Sequence, residues 1–512
     1  MPEVKLIELP TLLARADASR KIVNGKLNLE TKTAFGQYMT PAAVASFMAS
    51  LFPLQPETKV RLLDPGAGVG SLTSAFVAHL NESSLPYEID VDAYEIDPVM
   101  RPYLKKNLAL CKVSTEQRGG SLSWQIISDD FIIDASKHIS STGGLWAEEI
   151  KKYTHCIMNP PYKKISSASR HRGCLHSVGI ETVNLYPAFV ALSLSLMETG
   201  GCLVAIIPRS FCNGPYYRPF REFVLERSAV LRIHLFTSRN KAFKEDNVLQ
   251  ENIIIMLERG GEQHEVTVST STDANFTDIA TAVYPFDHIV RTNDPEIFIH
   301  IPISPGKDFI DISKSIRLSL DDLGIQVSTG PVVDFRLKEH LRNMPGKNTV
   351  PLLYPCHFSR QSIEWPQARG KKPNAVLLNH ETKRWLYPND FYTVVRRFSS
   401  KEEKRRIVAS VVDPGVFQGA ELIGFENHLN VFHEGRKGLP EVLAKGLAVF
   451  LNSTVVDDNF RRFSGHTQVN ATDLKLMKYP GREDLTELGK WAMRQDDLTQ
   501  GMIDEQVEKI SE

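Results

Sequence analysis

Between residues 58 and 258 short apolar runs alternate with stretches whose apolar positions recur at helical spacing. The runs at 60–63, 89–95, 124–127, 156–158, 203–207, 233–236 and 253–257 have strand length, and helices fit between them at 71–80, 98–110, 185–198 and 218–228. Strands joined by helical crossovers pair in parallel and are covered on both faces, so this half is expected to be an α/β domain, 34–260, built on a mostly parallel, Rossmann-like sheet. Ahead of it Thr40-Pro41 opens a helix whose apolar face is Val44, Phe47, Met48 and Leu51, with Thr40 at the cap and Pro41 in the first turn. Residues 1–33 show little pattern and are expected as an N-terminal arm.

The rhythm stops near 260. Residues 261–320 are rich in Thr, Ser, Asp and Pro and are expected to connect the first domain to a second, 321–482, where aromatic, basic and turn-forming residues mix without alternation, as in an α+β domain. The last stretch, 483–512, holds nine acidic and three basic residues and is expected to be a solvated acidic tail.

Composition adds limits. The 512 residues carry 60 Lys plus Arg against 61 Asp plus Glu, a net charge of -1 that leaves room for a polarised surface. No apolar run approaches the ~18 residues of a membrane span, and the first residues lack a signal peptide, so no membrane contact and a cytoplasmic location in a bacterium or archaeon are expected. The six cysteines form no C-x-x-C pair, so reduced thiols and no metal site are expected.

The candidate chemistry lies at strand ends. Strand 60–63 runs into Asp64-Pro65-Gly66-Ala67-Gly68-Val69-Gly70 and then a helix, which gives a tight turn, close backbone approach to a ligand and free helix N–H groups. The spacing misses the Gly-x-Gly-x-x-Gly dinucleotide fingerprint, which disfavours NAD. Glu95, at the end of the second strand, suits the two hydroxyls of a ribose. After the third, Asp130 can accept an adenine amino group and Phe131 can cover the ring. The fourth ends in Asn159-Pro160-Pro161-Tyr162, the most specific feature of the chain. An exocyclic amine on a purine is a weak nucleophile because its lone pair is delocalised. The Asn159 side-chain carbonyl and the Pro160 backbone carbonyl can accept its two N–H bonds, Pro161 stiffens the turn, and Tyr162 offers a face to a planar base.

The order Asp64-Pro65-x-x-Gly68-x-Gly70, then Asn159-Pro160-Pro161-Tyr162, resembles the amino-group DNA methyltransferases that use S-adenosyl-L-methionine. Phe35-Gly36-Gln37-Tyr38-Met39-Thr40-Pro41 is similar to the motif that precedes the glycine loop in the gamma class of N6-adenine enzymes. Residues 179–189, 207–214 and 464–474 resemble segments of the PstI/BsuBI-type modification methyltransferases of type II restriction-modification systems. The resemblance implies transfer to the N6 of an adenine flipped out of double-stranded DNA, a C-terminal DNA-recognition domain, and a cognate restriction endonuclease that shares the site without an obligate complex. It places Thr40, Asp64, Pro65, Gly66, Gly68 and Gly70 around the methionine part, Glu95 on the ribose, Asp130 and Phe131 at the cofactor adenine, and Tyr162 with Phe243 on the two faces of the target base.

DNA contacts are expected from two basic regions. Residues 151–180 hold six basic and no acidic residues, among them Lys163, Lys164, Arg170 and Arg172. Residues 383–406 hold eight basic and three acidic residues interleaved with aromatics, including Arg396 and Arg397, and a polar turn follows with Arg461, Arg462, His466 and Gln468. Two alternatives stay open: a methyltransferase with the same tetrapeptide acting on RNA or on a protein glutamine, and a non-catalytic DNA-binding specificity protein.

Overall fold

The computed structural model describes residues 9–26, 39–54, 59–83, 85–141, 151–236, 251–291, 294–302, 315–359, 362–399, 403–463 and 468–510. The chain divides into two compact units, Met1–Ile303 and Ser304–Glu512.

The first unit follows the predicted alternation: α1 (Leu9–Lys26), α2 (Ala42–Ser50), β1 (Lys59–Pro65), α3 (Ser71–Leu80), β2 (Glu88–Tyr94), α4 (Arg101–Glu116), β3 (Ser121–Ile127), α5 (Phe131–Ser140), β4 (Tyr153–Met158), α6 (Arg170–Ser177), α7 (Leu185–Leu196), β5 (Met197–Pro208), α8 (Arg218–Arg227), β6 (Ser228–Phe236), β7 (Asn252–Arg259), β8 (Val266–Ser271) and β9 (Ala280–Tyr284). These nine strands form one sheet in the order β3-β2-β1-β4-β5-β7-β6-β8-β9. From β3 to β5 every pairing is parallel, whereas β7 runs antiparallel to both neighbours. The strand order reverses direction at β1 and β4, and there two adjacent crossovers leave on opposite faces and open a crevice at the carboxyl ends.

Burial follows from the same pattern. One core lies under α5 and α7 with Leu192, Leu194, Leu203 and Ile255, and the other under α2 to α4 with Met48, Phe76, Val91 and Ile254. Two expected boundaries are corrected. Part of the 261–320 connector is sheet: Val266 and Val268 point into the core and the Thr and Ser between them face outward, a period-two pattern that its polar composition obscured. Part of the 1–33 arm is α1, which buries Leu12 and Val23 against the domain.

The second unit is α+β. Strands Gln326–Thr329, Leu429–His433, Tyr392–Arg396 and Ala409–Val412 make an antiparallel sheet, and a five-stranded sheet includes Thr349–Leu353, Leu386–Pro388 and Leu422–Phe425. Its helices are α9 (Glu441–Leu451), α10 (Thr454–Phe463), α11 (Ala471–Leu476), α12 (Arg482–Ala492) and α13 (Gln500–Lys509). The 483–512 segment is not a solvated tail. Leu485 and Leu488 are fully buried, and Ile503 and Val507 of α13 are buried as well. Helices α9 and α12 meet backbone to backbone: a Cβ on Gly446 would lie 1.7 Å from the Leu485 carbonyl oxygen, and one on Gly489 would lie 1.8 Å from that of Val442. The acidic residues of α12 occupy its outer face, so net charge misreported burial. Among the described residues no helix is long and apolar enough to cross a membrane.

Candidate active site

The loop after β1 is a glycine conformation before it is a glycine motif. Gly66, Gly68 and Gly70 have φ of 83°, 59° and 83°, where other residues are strained. Gly66 and Ala67 donate their N–H groups to the Tyr94 carbonyl at 3.0 and 2.8 Å, which ties the loop to the end of β2. Glu95 completes the tie: one carboxylate oxygen accepts from the Gly68 N–H and the other from the Asp97 N–H, both at 2.7 Å. The carboxylate expected on the ribose therefore also builds the loop. Burial pushes its pKa up to about 7 against the lowering effect of those two N–H groups.

Asp64 lies below the loop and is fully buried. Its Oδ2 accepts from the Thr73 hydroxyl at 2.6 Å, while Oδ1 has no partner among the described residues. Burial pushes this carboxyl up to about 7 as well, with the Glu95 charge adding to the rise.

Above the loop is a cavity of about 480 Å³. Of the expected cofactor residues, Thr40, Gly66, Gly68, Glu95, Asp130 and Phe131 line it, and so do Asn159 and Pro161; Asp64, Pro65, Gly70, Pro160 and Tyr162 are not among its lining residues. At one end Phe131 and Phe189 lie 5.0 Å apart between ring centroids at 45°, and Tyr94 packs edge-on to Phe131. Asp130 caps α5, its Oδ1 accepting from the Ile133 N–H at 3.2 Å. Its Oδ2 accepts from His171 Nε2 at 2.8 Å. Phe189 and His171 were not singled out from the sequence. Leu185 and Phe189 are four apart in the first turns of α7 and both face the cavity, a helical spacing that was legible. The lining Ser71, at the start of α3, was also missed; its hydroxyl is buried without a partner among the described residues.

The tetrapeptide leaves β4 between β1 and β5, inside the parallel part of the sheet. Asn159 Nδ2 donates to the Thr40 hydroxyl at 3.0 Å, and Asn159 Oδ1 accepts from the Tyr162 hydroxyl at 2.9 Å. The amide is thus oriented from both sides. The Tyr162 hydroxyl also reaches the Ile206 carbonyl at 3.0 Å, and its single proton is shared between two acceptors. Its half-buried ring packs edge-on to Tyr186, with centroids 6.2 Å apart. Phe243 lies outside the described residues.

The basic regions divide. Lys163, Lys164 and Arg170 are exposed, but the chain that bears the two lysines is laid against the residues that lead into α7: Leu185 and Ile165 donate to the Lys163 and Val183 carbonyls, both at 2.8 Å. Arg172 donates to the Thr182 carbonyl, so this guanidinium holds the segment down. In the second unit Arg396 pairs with Glu403, Arg397 donates to the Asn427 carbonyl at 3.2 Å and to Gln468 at 3.4 Å, and Arg461 pairs with Asp457 at 2.7 Å. Tyr387 and Tyr392 are core residues, and Arg406 is buried over the Phe460 ring. The 383–406 strip is therefore divided: Tyr392 to Val395 are buried in succession, whereas Lys383, Arg384, Phe398 and Lys404 are exposed. Asn470 and Asp473 form a capping box at the start of α11. His466 and the Arg462 side chain lie outside the described residues.

The strand order, the antiparallel β7 and a cavity at the carboxyl ends of β1, β2 and β4 define the S-adenosylmethionine-dependent methyltransferase fold with a further α+β domain. Comparison with known proteins agrees. The family model described as Eco57I restriction-modification methylase matches residues 92–243. The chain is 49% identical over 500 residues to the type II methyltransferase M.BsuBI of Bacillus subtilis, covering 98% of each, and 45% identical over 479 residues to M.PstI of Providencia stuartii, covering 92% of each. Two solved structures share the fold: the DrdV–DNA complex, with a TM-score of 0.53 at 10% identity over 96% of this chain and 60% of that one, and the type IIL restriction-modification enzyme MmeI in complex with DNA, with a TM-score of 0.52 at 11% identity over 99% and 74%. The protein belongs to the type II methyltransferases of restriction-modification systems.

Proposed function

We propose that the protein is a site-specific DNA methyltransferase that moves a methyl group from S-adenosyl-L-methionine to the N6 amino group of an adenine flipped out of double-stranded DNA. It protects host DNA from an endonuclease that cuts the same site. The observation that carries this reading is the meeting of Asn159 and Pro161 with the Gly66–Gly68 loop, Glu95 and Phe131 around one cavity.

The cavity suits the cofactor on chemical grounds. The Phe131–Phe189 end accepts a purine, Glu95 and Asp130 are acceptors for ribose hydroxyls and an adenine amine, and the unpartnered Ser71 hydroxyl gives the first turn of α3 a free polar group. Thr40, together with the close backbone approach that the glycine loop permits, is left for the methionine part. S-adenosylmethionine supplies an electrophilic sulfonium methyl.

The protein prepares the nucleophile. Asn159 Oδ1 and the Pro160 carbonyl accept the two N–H bonds of the adenine amine, which localises the nitrogen lone pair as positive charge develops on it. Thr40 and Tyr162 fix the Asn159 amide before substrate arrives, so little reorganisation accompanies reaction. The nitrogen forms its bond to the methyl carbon as the carbon–sulfur bond breaks, and the amine afterwards releases a proton to water. Lys163, Lys164 and Arg170, exposed on the segment after the tetrapeptide, meet phosphates. The test is sequencing that detects N6-methyladenine in DNA from cells with and without the gene. One methylated motif that depends on the gene is the expected result; labelled methyl in RNA or protein and none in DNA overturns it.

A further inference from the structure

The residues that follow the tetrapeptide, read from sequence as a basic loop for phosphates, do something else as well. Lys163, Lys164, Ile165, Ser166, Ser169 and His171 form the outer wall of the cavity, facing Asp129 to Ile132. This wall is built rather than draped. Ser169 caps α6, accepting from the Arg172 N–H at 3.3 Å, and Leu175 anchors the helix in the core with no exposure. In the first turn His171 reaches across to the start of α5, where Asp130 Oδ2 accepts from its Nε2 at 2.8 Å. A carboxylate can only accept, so Nε2 carries the proton. Both side chains keep about a third of their exposure, 31% and 29%, so the contact lies at the mouth of the cavity.

Asp130 thus has two fixed oxygens, one on the α5 backbone and one on His171, and its carboxylate plane is set before any ligand arrives. We infer that His171 is a cofactor-positioning residue: it locks the Asp130 carboxylate in the orientation that accepts the cofactor's adenine amine and closes the purine end of the cavity against water. This inference rests on the proposed use of S-adenosylmethionine and adds a residue that neither the glycine loop nor the tetrapeptide supplies. Loss of a hydrogen bond to a charged group, with the partner left rotating, corresponds to about a ten-fold loss of affinity.

The experiment is binding of S-adenosylmethionine and S-adenosylhomocysteine to the purified full chain by calorimetry, without DNA, together with steady-state methylation. His171→Ala is expected to raise the Kd of both ligands about ten-fold and the KM for S-adenosylmethionine by a similar factor, with kcat at saturating cofactor within about two-fold of wild type. His171→Gln, which can still donate to Asp130, is expected to stay within about three-fold. In an Asp130→Asn background His171→Ala is expected to add nothing. A Kd for His171→Ala within two-fold of wild type overturns the inference, and so does a lowered melting temperature shared by the Ala and Gln variants, which marks a structural role. A wild-type protein that binds neither ligand overturns the cofactor assignment itself, a result that no His171 variant produces.

Discussion

The strand-end cavity of the first unit and the 383–406 strip of the second draw on the same residue types, aromatic rings among charged side chains, and use them in opposite ways. In the cavity Phe131 opens the helix after β3 and Phe189 lies in the second turn of α7, both lining the cavity, and Glu95 and Asp130 are oriented by backbone N–H groups. In the strip Tyr392 is fully buried beside Tyr387 and Phe425, and Arg396, Arg405 and Arg406 are held by Glu403, the Ser453 carbonyl and Ser399. Topology decides the difference. The carboxyl end of a parallel sheet leaves side chains with no neighbour but a ligand. The strand Tyr392–Arg396 lies inside an antiparallel sheet and is buried at its first four positions, whatever the composition around it promises.

The comparison breaks most readily at Asn159. Asn159→Ala removes an acceptor oriented from two sides and is expected to lower kcat by about 10²- to 10³-fold while cofactor affinity without DNA stays within about three-fold. Single-turnover transfer of labelled methyl to DNA measures it. Near-normal kcat would show that the cavity wall is structural there too. The matching test in the second unit is Arg406→Ala. Its guanidinium donates to Ser399 from a position 1% exposed, so its loss is expected to cost about 2–3 kcal/mol in a denaturant titration and to leave DNA affinity below the transition unchanged. Weaker DNA binding at unchanged stability would return the strip to the DNA interface.

What was legible follows the same division. The Asp64 to Gly70 segment could be recognised because a turn with three positive φ angles restricts residue type, and Asn159 to Tyr162 because its chemistry is local. His171 could not be found, since it matters only through the docking of α6 on α5, two elements whose packing no local pattern encodes. The Leu485 and Leu488 spacing in α12 was present in the sequence, and counting acidic residues hid it. Strand β8 was hidden likewise by its Thr and Ser content.

A smaller effect separates two buried carboxyls packed against the glycine loop from ordinary ones. Asp64 titrates near 7 in the folded protein against an ordinary 3.8, and Glu95 near 7 against 4.5. In the window between those values the folded state holds protons that the unfolded state has released, so stability falls as pH rises from about 4 to 7 and levels off above. Each group contributes at most about 1.4 kcal/mol per pH unit. Asp64→Asn keeps an acceptor for the Thr73 hydroxyl and removes one titration, so its denaturation midpoint is expected to fall less than that of wild type between about pH 4 and 7. Equal pH slopes for the two proteins would mean that Asp64 is ionised throughout.

The smallest effect tests how the Asn159 amide is held. Tyr162→Phe keeps the ring against Tyr186 and removes the hydroxyl that donates to Asn159 Oδ1 and approaches the Ile206 carbonyl. If the hydroxyl only orients the amide, Thr40 still restrains it through Nδ2, and kcat is expected to fall by about three- to ten-fold, the worth of one neutral hydrogen bond. A loss as large as that of Asn159→Ala would make the hydroxyl part of the reacting set. Combining Tyr162→Phe with Thr40→Ala separates the cases: two restraints on one amide should cost more together than the product of their single effects, whereas independent roles should multiply.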